Sequence, residues 1–183
     1  MSIPSTVKSR LDREHIHYDI VPHSPTFSAL RVAHTLHVSE QQVAKVVIVK
    51  VKSQFITTVL PARWSVDLHS LRKMFGTHRV RLATEQEIRK LFPDCEVGAI
   101  PPFGTLYGLP VYVDRSLAGD RQIFFECGTH SEAIRMRYWD FAALVFPIVA
   151  EFHGAPVARV VGEGTVAAQA QRSIHIQREG VST

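Results

Sequence analysis

Two β-branched runs stand almost back to back a quarter of the way along the chain, residues 46–51 (VVIVKV) and 55–60 (FITTVL). Each is too short for an ordinary helix, and Val, Ile and Thr lose side-chain freedom in a helix but pack well on a pleated surface. With Ser53 and Gln54 in the short link between them, they predict a β-hairpin. Whatever the fold, it is built on a sheet. Lys45 stands at the entrance to the first strand, and residues 39–42 form a capping-box pattern, Ser39 to Gln42, for a brief helical turn just before it.

Elements of both kinds surround the hairpin. Ser5 is placed to cap a first helix reaching about His15, with Val7 and Leu11 on one face, and a short strand follows at 18–21. After a turn at His23, Ser24 and Pro25, Ser28 caps a second helix that runs through Leu36. Ser65 is expected to cap a helix over 66–75 that Gly76 closes in the left-handed conformation. A strand at 80–82 leads to a helix boxed by Thr84 and Glu87 and ended by Pro93. Strands are expected at 109–113, 122–127 and 132–137, then a helix over 139–146 stopped by Pro147. The pattern lacks the strict strand–helix alternation of a doubly wound fold. It predicts an α/β fold: one compact domain over 1–150, a mixed, mostly antiparallel, barrel-like sheet of six or seven strands with surrounding helices, and an appendage over 151–183.

Composition limits what such a domain does. Hydrophobic residues make up 45% and charged residues 21%, the balance of a globular chain. No apolar run approaches the roughly 18 to 20 residues that span a bilayer, and the first residues lack the regions of a signal peptide. A cytoplasmic protein with no membrane partner is therefore expected. A net charge of +4 favours an anionic partner only weakly, because the basic residues come in small groups that also suit solvated faces. Cys95 and Cys127 form no CxxC pair, and strand alternation turns Cys127 inward with Phe125 rather than outward as a nucleophile. His34 and His37 share a helix face, yet nothing nearby completes a metal-ligand set. No GxGxxG, GxxxxGK[ST], GxSxG or HExxH occurs. No metal or cofactor is expected.

The most shaped stretch is 97–104 (VGAIPPFG), where two glycines bracket two consecutive prolines. Gly98 and Gly104 admit backbone conformations and close approaches that other residues resist, whereas Pro101 and Pro102 fix their own φ and extend the residue before them. The loop's amides at Gly98, Ala99, Ile100, Phe103 and Gly104 make a cradle for a small polar group. A tight inter-strand connection with Phe103 plugged into the core explains the same residues, and the loop alone does not choose.

Four segments taken together add to this reading: residues 23–27 (HSPTF), 43–49 (VAKVVIV), 98–104 (GAIPPFG) and 125–134 (FECGTHSEAI). In this order and at these intervals the chain resembles, over roughly residues 5–148, the YbaK/ProX family of trans-editing aminoacyl-tRNA deacylases, relatives of the editing insertion of prolyl-tRNA synthetases. The resemblance implies a barrel-like α/β domain that hydrolyses the ester joining a wrong amino acid to tRNA, with aminoacylated tRNA and an aminoacyl-tRNA synthetase as partners. It gives Lys45 the place of the family's lysine, Gly98 and Pro102 that of its Gly-x-x-x-Pro loop, and His130 a place near a third motif. Lys45, Gly98 and His130 are the implied catalytic residues. Phe27, Ala99, Ile100, Pro101, Pro102, Phe103, Gly104, Gly128 and Thr129 are candidates to bind substrate. Two other classes stay open: a non-catalytic module that binds tRNA or an aminoacyl ligand, and a hydrolase of small esters unrelated to tRNA.

Overall fold

The computed structural model describes residues 3–158. Its centre is the expected hairpin, β2 (Ala44–Val51) paired antiparallel with β3 (Gln54–Pro61) from Ala44–Pro61 at the open end to Val51–Gln54 at the turn. Lys52 enters that turn at φ 55°. Further strands widen the hairpin into a five-stranded mixed sheet. β5 (Val80–Leu82) joins β2 antiparallel, while β6 (Val111–Asp114) lies parallel to β3 and β9 (Ile148–Ala150) parallel to β6.

A second, antiparallel sheet of three strands is ordered β1 (Tyr18–Pro22), β8 (Glu132–Arg137), β7 (Gln122–Glu126). The two sheets touch through one parallel bridge, Val43 to Phe124, where the Phe124 amide donates to Gln42 O at 2.9 Å. They enclose the main core without closing into a barrel. Phe103 belongs to that core, edge-on to Phe125 at 5.6 Å and to Phe141 at 5.8 Å, together with Val59, Val113, Ile123 and Ile134. α1 (Ser5–Arg13) contributes Val7 and Leu11 to this core and α6 (Tyr138–Val145) contributes Tyr138 and Phe141. Burying such side chains stabilises by about 1.5–3 kcal/mol each before entropy is counted.

Local chemistry fixes most boundaries. Ser28 Oγ accepts the Arg31 amide at the start of α2 (Ala29–Thr35), and Thr84 with Glu87 forms a complete capping box on α4 (Glu85–Leu91). The third helix departs from expectation. Residues 64–66 form a strand, β4 (Trp64–Val66), and the cap of α3 (Leu68–Phe75) is Asp67, whose carboxylate accepts the amides of His69 and Ser70. A carboxylate taking two amides outcompetes a serine hydroxyl, and Ser65 Oγ instead donates to Ala155 O at 2.8 Å. Gly76 closes α3 in the left-handed region, as read. At α1 the cap position belongs to Pro4, with Ser5 already helical. Between β6 and β7 the chain makes the single helical turn α5 (Arg115–Ala118), capped by Asp114.

Among the described residues, ten strands in three sheets replace the expected six or seven. The surplus is short edge strands, among them β10 (His153–Pro156), which pairs antiparallel with β4. Paired structure therefore runs past residue 150. Asp114 anchors it: its buried carboxylate accepts the amides of Phe152 and His153 at 2.8 and 2.9 Å and meets His153 Nδ1 at 3.0 Å. The remainder of the expected appendage, 159–183, lies outside the described residues.

Candidate active site

A small open cleft forms where α2, the start of β2, the loop after α4 and the end of β7 converge. Its walls are Ala29 and Val32 of α2, residues 43–46, Gly98 and Ile100 of the Gly–Pro loop, and Glu126. Lys45 and Glu126 are the two ionisable side chains among them.

Lys45 owes its setting to the hairpin's open end. It pairs across the ladder with Leu60, and its Nζ reaches the Ala62 carbonyl at 3.5 Å, a long contact. No carboxylate pairs with it among the described residues. Burial without a counter-charge lowers its pKa from 10.5 to about 8. The result is a compact cation, held in a partly desolvated cleft with donors to spare.

Opposite it, the loop after α4 spends some of its amides and leaves others free. Ala99 donates to Glu96 O at 3.0 Å, and its carbonyl accepts the Gly128 amide at 2.7 Å. Gly98 takes φ 99°, a conformation open to glycine and strained for other residues. The amides of Gly98 and Ile100 find no protein acceptor among the described residues, and both residues line the cleft. Pro101, Pro102, Phe103 and Gly104 are all buried and lie outside the cleft wall. Phe103 is core, as the second reading of the loop had it, and Gly104 packs so tightly on Thr57 that a Cβ would come within 2.1 Å of its Oγ1. The loop is thus both things at once: its first half faces the cleft and its second half plugs the core.

His130 stands behind Gly98. Its Nε2 lies 3.0 Å from Val97 O and its Nδ1 3.1 Å from Glu126 Oε1. Burial pushes the Glu126 carboxyl up to about 7 against the pull of His130, with the charge of Glu96 adding to the rise. Gly128, at φ 85°, turns the chain between β7 and the histidine, and its carbonyl accepts the Glu96 amide at 3.0 Å. Thr129 is buried, with its hydroxyl 3.5 Å from that of Ser131. Phe27 is 61% exposed and lays its ring against the His130 imidazole at 4.8 Å. Of the residues singled out from the sequence, Lys45, Gly98 and Ile100 meet in the cleft. His130 backs it, Phe27 reaches it through His130, Ala99 and Gly128 form with Glu96 the backbone seam that holds the loop, and Thr129 is buried beside Ser131.

Glu126 escaped the sequence reading. The signal was present: a carboxylate ending the apolar run Ile123-Phe124-Phe125, four residues before a histidine. Cys127 is buried, as expected, and burial raises its thiol pKa far from the thiolate range. No group of three or more His, Cys, Asp or Glu side chains among the described residues is arranged to share a metal ion.

A model of the aminoacyl-tRNA editing domain matches residues 23–144, a span that contains every wall of this cleft. The chain belongs to the aminoacyl-tRNA editing domain family. The resemblance read from the four segments is borne out. Over 83 residues this editing domain is 28% identical to a proline–tRNA ligase of Bacillus cytotoxicus, which covers 45% of the chain and 14% of that ligase. The match therefore spans a small part of the relative's length. Among solved structures, a candidate trans-editing enzyme for prolyl tRNA synthetase superposes with a TM-score of 0.72 at 22% identity, over 84% of this chain and 100% of that one. A hypothetical protein does so with a TM-score of 0.74 at 21% identity, over 82% and 100%. At those identities the likeness is one of fold. No helix among the described residues is long and apolar enough to cross a membrane.

Proposed function

We propose that this editing domain is an aminoacyl-tRNA deacylase that hydrolyses the ester between a wrongly attached amino acid and the 3′ end of tRNA. The observation that carries the reading is one cleft lined by Lys45, desolvated and without a carboxylate partner, and by Gly98 and Ile100, whose amides have no acceptor among the described residues. An aminoacyl ester is already activated, so its hydrolysis needs a placed water and donors for the oxyanion rather than a strong nucleophile. Water oxygen bonds to the carbonyl carbon, the C–O bond to the ribose breaks, and the ribose oxygen leaves with a proton from the attacking water. Lys45 and the two amides stabilise the oxyanion between those events. One such donor is worth about 10²–10³ in rate. The chemistry needs no metal.

The family supports tRNA as partner, and the partial likeness to a proline–tRNA ligase supports action beside a synthetase. The test is deacylation of labelled alanyl-, seryl-, cysteinyl- and prolyl-tRNA by the wild type and by Lys45→Ala. Turnover of one or two species that the variant loses supports the reading. Survival of every ester with both proteins sinks it and favours a module that binds without turnover.

A further inference from the structure

The cleft contains one group to which the oxyanion chemistry gives no part. Glu126 is only 9% exposed, a position that a carboxyl group tolerates only with a partner. That partner is His130, and the geometry limits how protons are shared between them. A carbonyl oxygen only accepts, so the imidazole Nε2, 3.0 Å from Val97 O, carries a hydrogen. The 3.1 Å contact between Nδ1 and Glu126 Oε1 then needs one more proton. It sits on the ring, as an imidazolium facing a carboxylate, or on the carboxyl, donating to a neutral ring; the pair is neutral overall in both arrangements. Without it, a carboxylate faces a lone pair, or the ring moves its hydrogen to Nδ1 and gives up the Val97 bond.

The neighbours of the pair keep that proton in place. Glu96 Oε2 accepts the His130 amide at 3.3 Å and adds negative charge on the same side. Lys45, the one cation among the residues of the cleft wall, makes no hydrogen bond to Glu126 that would draw the proton off. The ring in turn buttresses the turn that carries the free amides. A Cβ on Gly98 would lie 3.0 Å from His130 Cε1, so the imidazole edge packs directly on this glycine of the cleft wall, whose amide has no acceptor among the described residues.

We propose that Glu126 is a positioning residue: through a shared proton it fixes His130 with Nε2–H donated to Val97, and so holds the Gly98 turn in the conformation that presents its amides to substrate. The kinetic consequence rests on the deacylase reading, whereas the ring geometry does not, so the two fail separately.

The experiment compares the full-length wild type with Glu126→Leu and Glu126→Gln. Imidazole ¹⁵N resonances, assigned to His130 by their loss in His130→Asn, report which ring nitrogen carries hydrogen. The expected result is Nε2–H in the wild type and in Glu126→Gln, whose amide donates to Nδ1, and a mixture of tautomers in Glu126→Leu. With the aminoacyl-tRNA that the wild type turns over fastest, Glu126→Leu is expected to lower kcat about 10- to 100-fold at nearly constant KM, the loss usual for a group that orients another. Glu126→Gln should restore most of it. Hydrogen on Nδ1 alone in the wild type overturns the proposal, as does a Leu variant that keeps both the Nε2–H tautomer and the wild-type kcat. Should no aminoacyl-tRNA be turned over, the deacylase reading falls while the ¹⁵N spectra still decide the geometry.

Discussion

Replacing Lys45 with Met is expected to make the protein more stable while abolishing the proposed deacylase activity. The side chain keeps its length and loses its charge. Burial lowers the Lys45 pKa from 10.5 to about 8 in the folded state, and every tenfold loss of proton affinity corresponds to about 1.4 kcal/mol. The ceiling on the destabilisation is therefore about 3 kcal/mol, reduced by whatever water reaches the partly exposed side chain. The sign follows from proton counts. Between pH 8 and 10.5 the unfolded chain binds more protons at this site than the folded one, so wild-type stability rises with pH through that window. Below it the penalty is fully present; above it the penalty is gone. Glu126, the other ionisable wall of the cleft, is present in both proteins and cancels in the difference. Guanidinium titrations of both proteins at about pH 7 and about pH 9.5 measure it directly. The Met variant should lead by about 2–3 kcal/mol at the lower pH, with the lead roughly halved at the higher. A Met variant less stable than wild type near neutral pH, or a difference that ignores pH, would refute the desolvation argument and with it the picture of Lys45 as an uncompensated cation.

Three further outcomes follow from the geometry. Gly98→Ala places a Cβ 3.0 Å from His130 Cε1 at φ 99°, so it should cost roughly 1–3 kcal/mol in thermal or chemical melts and lower kcat more than it raises KM. Gly104→Ala drives a methyl into Thr57 and should destabilise by about 1–3 kcal/mol, the usual overpacking cost, read as a fall in denaturation midpoint; a variant that melts like wild type would contradict the packing. Asp114→Ala strips the amides of Phe152 and His153 of their acceptor and should cost about 3 kcal/mol near neutral pH. Burial pushes its pKa up, but the hydrogen bonds from Ser116 and Phe152 together outweigh it and hold the value below 3.8, so its contribution is complete above that value and fades as pH falls through the lower folded pKa; the difference from wild type in urea melts should shrink accordingly.

The hairpin, the capping box at Thr84 and the left-handed close at Gly76 were legible because each rests on chemistry within a few residues. Asp67 was missed for Ser65 because the competing claim on Ser65 comes from Ala155, ninety residues away in sequence. β4 and β10 are short and bury little; neither has a pattern of its own, and each exists because the other is there. At the site, Lys45 and Gly98 could be named from their local settings and their place among the four segments. The split of the 97–104 loop into a facing half and a buried half was not readable, because it depends on Thr57 and Phe125, which belong to other strands. Glu126 was hidden because the alternation that turns Phe125 and Cys127 inward leaves it on the other face, and its partner His130 is brought to it only by the turn at Gly128.

The bridge from Val43 to Phe124 divides the site between two bodies. Lys45 rides on one sheet and the Glu126–His130 pair on the other, while Ala29 and Val32 of α2 line the cleft and Val32 packs against the bridge itself. The gap between cation and carboxyl is consequently a property of the seam rather than of either chemical group. A single methylene added or removed among Val32, Val43 and Phe124 alters how far the sheets stand apart, and a methylene in a pocket is worth about 1–3 kcal/mol of discrimination. On the proposed deacylase reading, the size of substrate admitted can thus be retuned from behind the cleft, with Lys45 and the Gly98 turn left untouched, which would give one scaffold a short mutational path from one misattached amino acid to another.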